Sequence, residues 1–229
     1  MIVNLLAILF ALVLSIAHYL SEEFHVKKNK QKIISFGAGV LLAYVILDLF
    51  PKLVVAGELA NNFLFLFVLL GFSLLHLVEK YIYQHSAKEK RLKELREAHS
   101  ISFFIYYLII GIILFNTVTN NVLQGLLLFI PLLFHTTLGT VSFHQIHYSI
   151  AEKKSAKLIL SLSPLIGVLL ASYIKFSPLI NQSLLSLISG VFLYIVTREV
   201  IPKENKGNPL DFILGMSVYT ILIISTWLI

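Results

Sequence analysis

Apolar residues in this chain form long runs that short polar segments interrupt at nearly regular intervals. A helix needs about 20 mostly apolar residues to cross roughly 30 Å of hydrocarbon, and it satisfies its own backbone hydrogen bonds there. The pattern therefore predicts an all-α integral membrane protein with eight transmembrane helices. The predicted spans cover residues 2–20, 33–50, 60–83, 101–119, 123–147, 157–175, 180–199 and 209–228.

Composition agrees with this fold class. Of the 229 residues, 58% are hydrophobic and only 13% are charged, whereas soluble domains are about half apolar and about a quarter charged. A soluble fold could not bury so much apolar surface. The chain has no cysteine, which excludes disulfides and thiolate metal sites.

The basic residues alternate between successive loops. Lysine and arginine are concentrated after the first, third, fifth and seventh spans, at Lys27, Lys28, Lys30, Lys32, Lys88, Lys90, Arg91, Lys93, Arg96, Lys153, Lys154, Lys157, Arg198, Lys203 and Lys206. Basic loops remain on the cytoplasmic side of a membrane. Both termini are therefore predicted outside, in a multi-pass protein of the cell membrane. The net charge of +6 suits anionic lipid of the bilayer, and we infer no nucleic-acid partner from it.

Two segments of the chain match without gaps. Residues 39–52 and 190–203 share a glycine, an acid, a proline and a lysine at equal spacings, namely Gly39 with Gly190, Asp48 with Glu199, Pro51 with Pro202 and Lys52 with Lys203. A weaker match follows between residues 70–73 and 214–217. Chance similarity between aliphatic runs is the alternative. The spacing places each acid in the last helical turn before a helix end marked by proline.

The loop charges make the matching spans run in opposite directions. Inverted repeats of this kind are typical of secondary transporters. One domain, residues 1–229, is then divided into a first repeat of about residues 1–83, central helices of about residues 101–147, and a second repeat of about residues 157–229.

The segments 38–51 and 190–202 resemble the second and seventh helices of the ZIP (Zrt/Irt-like) metal transporters, especially their GufA-like branch. The resemblance implies a 3+2+3 inverted-repeat bundle and transport of Zn, Fe or other divalent cations into the cytoplasm, through a site between helices 4 and 5. It implies no required cofactor, since the metal is cargo. The positions that correspond to the transport site are Asn116, Thr119, His135, Thr136 and Ser163.

This site departs from the family pattern. Of the His-Asn-x-x-Asp/Glu-Gly pattern in helix 4 only Asn116 remains, and helix 5 keeps His135 without a carboxylate. In helix 6, Ser163-Pro164 replaces Glu-Pro, and residues 101–151 contain no acid. Carboxylates together with imidazoles replace the hydration of a divalent ion, whereas hydroxyls and amides alone bind it weakly. The resemblance therefore supports the fold more strongly than ordinary ZIP transport.

Other side chains of metal-ligand type lie near helix ends. The predicted inner ends carry His18, Glu22, His25, His76, Glu79, His144, His147 and Glu199, and the outer end of the second span carries Asp48. One interpretation is an inner vestibule that binds cations, with Asp48 in an outer mouth. The alternative is that these polar residues lie at the membrane interface, where they are tolerated. His135, by contrast, is predicted near the middle of a span, where a polar group marks a function or a buried partner.

Three functions agree with these observations. We expect a ZIP-like secondary transporter of divalent cations, with altered substrate as one variant, and not an enzyme. The alternative is a non-transporting relative that acts as a membrane scaffold or regulator, and the third is an intramembrane metal-dependent hydrolase. A homodimer is compatible with the sequence. The charged stretch from Lys88 to Glu97 is predicted as a short helix at the membrane surface.

Overall fold

The computed structural model describes residues 2–20, 30–59, 62–147, 154–200 and 207–228. Every regular element in these ranges is a helix, which confirms the all-α prediction. The elements are α1 (Ile2–Leu20), α2 (Lys30–Tyr44), a first π-helical turn (Val45–Leu49), α3 (Phe50–Leu59), α4 (Leu64–His85), α5 (Lys88–Asn120), α6 (Val122–His147), α7 (Lys154–Tyr173), α8 (Pro178–Ile195), a second π-helical turn (Val196–Val200) and α9 (Pro209–Trp227).

Six helices in the described ranges are long and apolar enough to cross a membrane. They are α1, the continuous rod formed by α2, the first π-helical turn and α3, then α4, α5, α8 with its π-helical turn, and α9. α6 and α7 contain shorter apolar stretches, Val122–Thr137 and Lys157–Tyr173. The chain is therefore an all-α protein with membrane-type helices, and the count of eight crossings stays a prediction.

The sequence predicts that the helix of the first matching segment ends at its proline, but in the structure the helix continues beyond it. The helix widens into the π-helical turn Val45–Leu49 and then continues past Pro51 to Leu59. In this wider turn the backbone N–H of Phe50 donates to the carbonyl of Val45, five residues earlier. Proline lacks an N–H and its ring crowds the preceding turn, so a local widening lets the helix continue where a regular one would break.

The second matching segment contains a π-helical turn at the equivalent position. Val196–Val200 begins six residues after Gly190, as Val45–Leu49 begins six residues after Gly39. In each copy the acid is the fourth residue of the turn, Asp48 in one and Glu199 in the other. The similarity of the two segments thus extends from sequence to an uncommon backbone geometry.

Two close helix crossings depend on glycine. A Cβ atom built on Gly39 of α2 would overlap the carbonyl oxygen of Phe212 in α9, and one built on Gly190 of α8 would overlap that of Val68 in α4. Gly215 of α9 approaches α2 in the same manner. Small residues allow membrane helices to approach backbone to backbone, so α2 packs tightly on α9, and α8 on α4.

The two crossings use equivalent residues. Adding 151 to a residue number in α2 gives its counterpart in α8, as Gly39 gives Gly190. Adding 144 to a residue number in α4 gives its counterpart in α9, as Gly71 gives Gly215. This alignment maps one crossing onto the other. Gly39 contacts the backbone of Phe212 and Met216, and Gly190 contacts their counterparts Val68 and Phe72; Gly215 contacts Phe36, and Gly71 contacts its counterpart Leu187. A third glycine crossing, between Gly111 and Gly167, joins α5 to α7.

The charged stretch is not a separate surface helix. It forms the first turns of α5, a single helix of 33 residues, which is about 50 Å long and so exceeds the roughly 30 Å hydrocarbon layer. These turns pack back on the end of α4: the Ser86 hydroxyl donates to Glu94, and Arg91 lies 5.6 Å from the centre of the Tyr83 ring. No proline or glycine separates the charged and apolar parts, so the helix continues.

Candidate functional site

His135 lies in the centre of the bundle. It belongs to α6, only 1% of its surface is exposed, and three aromatic rings surround it. Their centroid distances from the imidazole are 5.6 Å for Tyr106, 6.1 Å for Tyr107 and 5.5 Å for Phe192. Tyr107 stacks on the imidazole, whereas the other two rings are nearly perpendicular to it. The prediction of an interior position for this residue agrees with its burial.

Neither ring nitrogen of His135 has a hydrogen-bond partner among the described residues. A buried polar group without a partner is costly in a protein interior, and inside a membrane-type bundle it indicates a function by default. An imidazole of this kind can accept or donate one hydrogen bond at each nitrogen when neutral, or bind a transition metal. At this position the chain therefore presents an imidazole whose nitrogens the described part of the protein does not use.

A second histidine lies near this centre. His18, at the end of α1, is 7% exposed, and its ring meets the Tyr107 ring at a centroid distance of 5.1 Å. Tyr107 thus contacts both histidines, which come from helices far apart in the sequence. The group of rings around His135 therefore includes His18, which the sequence analysis placed only at the end of the first span.

An apolar cavity lies beside the His135 centre. It has a volume of about 20 Å³, room for about one water molecule, and its walls come from the first rod, α5, α6 and α8. The residues that line it include Tyr44, Ile110, Leu132, Ser189 and Phe192. Phe192 lines this cavity and also contacts His135. By the predicted orientation, the cavity lies between His135 and the outer face.

Asn116 and Thr119 are not brought together with His135. The Asn116 amide donates to the side-chain oxygen of Asn181 at 2.8 Å, which ties α5 to α8. Thr119 is exposed, and its hydroxyl donates back to the carbonyls of Phe115 and Asn116. In the described part of the chain, neither residue forms a hydrogen bond with the imidazole.

Thr136 and Ser163 are fully buried. Thr136 follows His135 directly on α6, so it lies beside the imidazole centre in sequence. The Ser163 hydroxyl donates to the carbonyl of Leu160 at 2.6 Å, which is the carbonyl that lacks its usual helical partner because Pro164 has no N–H. Ser163 therefore has a structural role at a proline in α7, and its proton is not directed at His135.

Asp48 lies in the first π-helical turn, inside the first rod and eleven residues before its end at Leu59. Its side chain is 6% exposed and forms an ion pair with Lys52 at 2.5 Å. The negative charge of Asp48 is therefore balanced by Lys52, one turn further along the same helix. The position of Asp48 in an outer mouth or at the membrane interface stays a prediction.

The inner pair His76 and Glu79 contacts α8. The Tyr194 hydroxyl donates to Glu79 at 2.5 Å, and the Arg198 guanidinium lies 3.8 Å from the other carboxylate oxygen. His76 meets the Tyr194 ring at 6.2 Å. Glu79 thus has a tyrosine and an arginine as partners, and this cluster fastens α4 to the end of α8.

The remaining candidates lie outside the described residues. These are the side chains of His144, His147 and Glu199, and residues Glu22 and His25. Within the described ranges, no group of three His, Asp or Glu side chains could hold a metal ion.

Tyr106, Tyr107 and Phe192 were not predicted as site residues. Aromatic residues are common on membrane helices, and nothing local in the sequence separates these three from the others. Only tertiary packing brings them to His135: α5 packs on α6, and the Phe192 ring of α8 reaches the imidazole. The one signal available was the polar residue in the middle of the fifth span.

Comparison with protein-family models and with curated proteins gives no match for this chain. The function is therefore inferred from the chain's own residues and contacts.

Proposed function

We propose that this chain is a secondary transporter of ZIP-like architecture that works by alternating access, with His135 at the centre of its pathway. The observation that carries the proposal is the equivalence of two helix crossings. Gly39 packs on α9 as Gly190 packs on α4, through residues at matching positions. Such equivalence is expected of two repeats, and repeats that flank a central site are the usual architecture of secondary transporters.

Contacts between the two matching segments support the proposal that their helices run in opposite directions. α2 packs on the second π-helical turn, which follows α8, and the first π-helical turn, which follows α2, packs on α8. The beginning of one segment therefore lies beside the end of the other. This is the arrangement of antiparallel neighbours, and the positive-inside pattern independently predicts it.

The crossings supply a mechanical basis for alternating access. Backbone contact at glycine makes the pairs α2/α9 and α4/α8 behave as units, because a small rotation about such a crossing would cause steric overlap. Each unit also includes a π-helical turn, a local widening frequently associated with functional sites. Movement of these units against α5 and α6 would open the centre alternately to each face.

The residues around His135 indicate which kind of ion the chain would carry. An imidazole whose nitrogens have no partner among the described residues suits a transition-metal cation such as Zn²⁺ or Fe²⁺. The surrounding side chains described by the structure are aromatic or hydroxyl groups, which bring no negative charge to balance a divalent ion. We therefore propose a ZIP-like transporter with a substrate range altered from that of the family.

Uptake into proteoliposomes tests this function. Purified protein is reconstituted, and uptake of Zn²⁺, Fe²⁺, Mn²⁺ and monovalent cations is compared with that of empty vesicles. We expect His135→Ala to lower uptake of the transported ion by at least about tenfold, because it removes the buried imidazole at the centre of the proposed pathway. His85→Ala, the same change at an exposed histidine, should leave uptake within about twofold. Absence of uptake of every cation by the wild-type chain would reject the proposal.

A second function has specific support. The polar atoms of Asn116, Thr119 and Ser163 hydrogen-bond elsewhere, and the central cavity is mainly apolar. A scaffold or regulator with transporter architecture would keep the fold without a working ion site. Co-purification of a stable partner, together with absent uptake, would favour this function over transport.

A further inference from the structure

We propose that Phe192 is the gate between the apolar cavity and the His135 centre, and that the cavity is the outer vestibule through which a small cation reaches the imidazole. This inference rests on the proposed transport function. It assigns a residue and a route that neither the sequence pattern nor the ZIP resemblance supplied.

Position is the first argument for the gate. The Phe192 ring is 2% exposed and forms part of the cavity wall. The ring also contacts the imidazole of His135 at a centroid distance of 5.5 Å, with the two ring planes inclined by 74°. The same ring therefore borders an unfilled space and contacts an imidazole that has no hydrogen-bond partner in the described structure.

Tyr44 holds the ring from the opposite helix. Its ring is nearly perpendicular to that of Phe192, at 5.9 Å between centroids. Tyr44 precedes the first π-helical turn directly, and Phe192 lies four residues before the second. A change in either turn would therefore displace one side of the aromatic contact. This places the gate where the two proposed repeats meet.

The cavity wall limits what can pass. Apart from the Tyr44 hydroxyl and Ser189, the described side chains that line it are apolar. A strongly hydrated ion gains little there, whereas aromatic faces attract cations that have shed water. The gate therefore favours cations of low charge density, which lose their water at low cost. The imidazole nitrogens, which have no partner among the described residues, would then provide their first strong ligand.

The natural absence of cysteine makes the gate directly testable. Single variants Ser189→Cys, in the cavity wall, and Thr136→Cys, beside His135, are reconstituted and treated with a small methanethiosulfonate reagent. We expect the cysteine at position 189 to react faster than that at 136. Phe192→Ala should raise the rate at position 136 by about tenfold or more, because a protected site reacts only as often as it opens. The rate at position 189 should change by less than about twofold.

Phe10→Ala is the matched control. Phe10 is a buried ring that stacks on Phe129 and neither lines the cavity nor contacts His135 in the described structure. It should leave the rate at position 136 within about twofold. Equal acceleration by both truncations, faster reaction at 136 than at 189 in the wild-type background, or no acceleration by Phe192→Ala would each overturn the gate. Phe192→Leu, which better preserves core volume, is judged by the same criteria if the alanine variant does not fold.

The two proposals fail differently. If the chain is not a transporter, wild-type uptake is absent whatever the labelling rates are. If only the gate assignment is wrong, wild-type uptake persists and the Phe192 variants label like the control.

Discussion

Replacement of Gly190 by alanine tests the close crossing of α8 and α4. The added Cβ would overlap the carbonyl oxygen of Val68 and lie 2.8 Å from the backbone nitrogen of Phe72. Both neighbours are backbone atoms, so no side-chain rotation can make room and the helices must separate. Overpacking costs about 1–3 kcal/mol, and rigid backbone neighbours put this site in the upper part of that range, about 2–3 kcal/mol. Alanine offsets about 1 kcal/mol of this cost through its higher helix propensity.

We therefore expect Gly190→Ala to lower the free energy of unfolding by about 1–2 kcal/mol. Gly39→Ala should have a similar effect, within about 0.5 kcal/mol, because its Cβ meets α9 at equivalent atoms. Equilibrium unfolding in mixed detergent micelles, followed by circular dichroism, measures both. Ser217→Ala, at an exposed position of α9, is the control and should change stability by less than about 0.5 kcal/mol.

Two results would refute this reasoning. A neutral or stabilising Gly190→Ala would mean that α4 and α8 do not meet backbone to backbone. A large effect at Gly190 with none at Gly39 would mean that the two crossings are not equivalent, which removes the main support for the repeat.

Two further predictions concern polar ties between helices. Tyr219→Phe should destabilise the fold by about 1 kcal/mol in the same titration, because its hydroxyl donates at 2.5 Å to the Leu127 carbonyl; an unchanged stability would show that this bond contributes nothing. Glu79→Gln should cost about 1 kcal/mol, mostly through a weaker bond from Tyr194, since Arg198 is 59% exposed. If 1 M salt removes the difference between Glu79 and its variant, the ion pair and not the tyrosine bond is responsible.

The helical class could be predicted from hydropathy because each apolar run satisfies its own backbone in a membrane. Local irregularities could not. Pro51 suggested a helix end, whereas the chain widens into a π-helical turn and continues to Leu59. Proline excludes a regular helix but does not decide between termination and a bulge, and packing against neighbouring helices decides it.

The candidate site shows the same division. The burial of His135 followed from its position in an uncharged apolar run. Its ring partners depend on the rotation of α5 and α8 about their axes, which long-range packing sets. The assigned role of Asn116 rested on a family pattern, and in this structure its amide pairs with Asn181. Residue type thus identified the centre, while tertiary contacts identified its surroundings.

The motion of the two repeats is measured most directly by double electron–electron resonance on the chain, which is free of native cysteine. Spin labels are placed in two separate pairs on exposed positions: Val54 with Leu179 at the predicted outer ends, and Ile33 with Thr197 at the predicted inner ends. We predict two distance populations for each pair, with the fraction of long outer distances matching the fraction of short inner ones. A single narrow distance at both ends, unchanged by any cation tested, would contradict alternating access and favour a rigid scaffold.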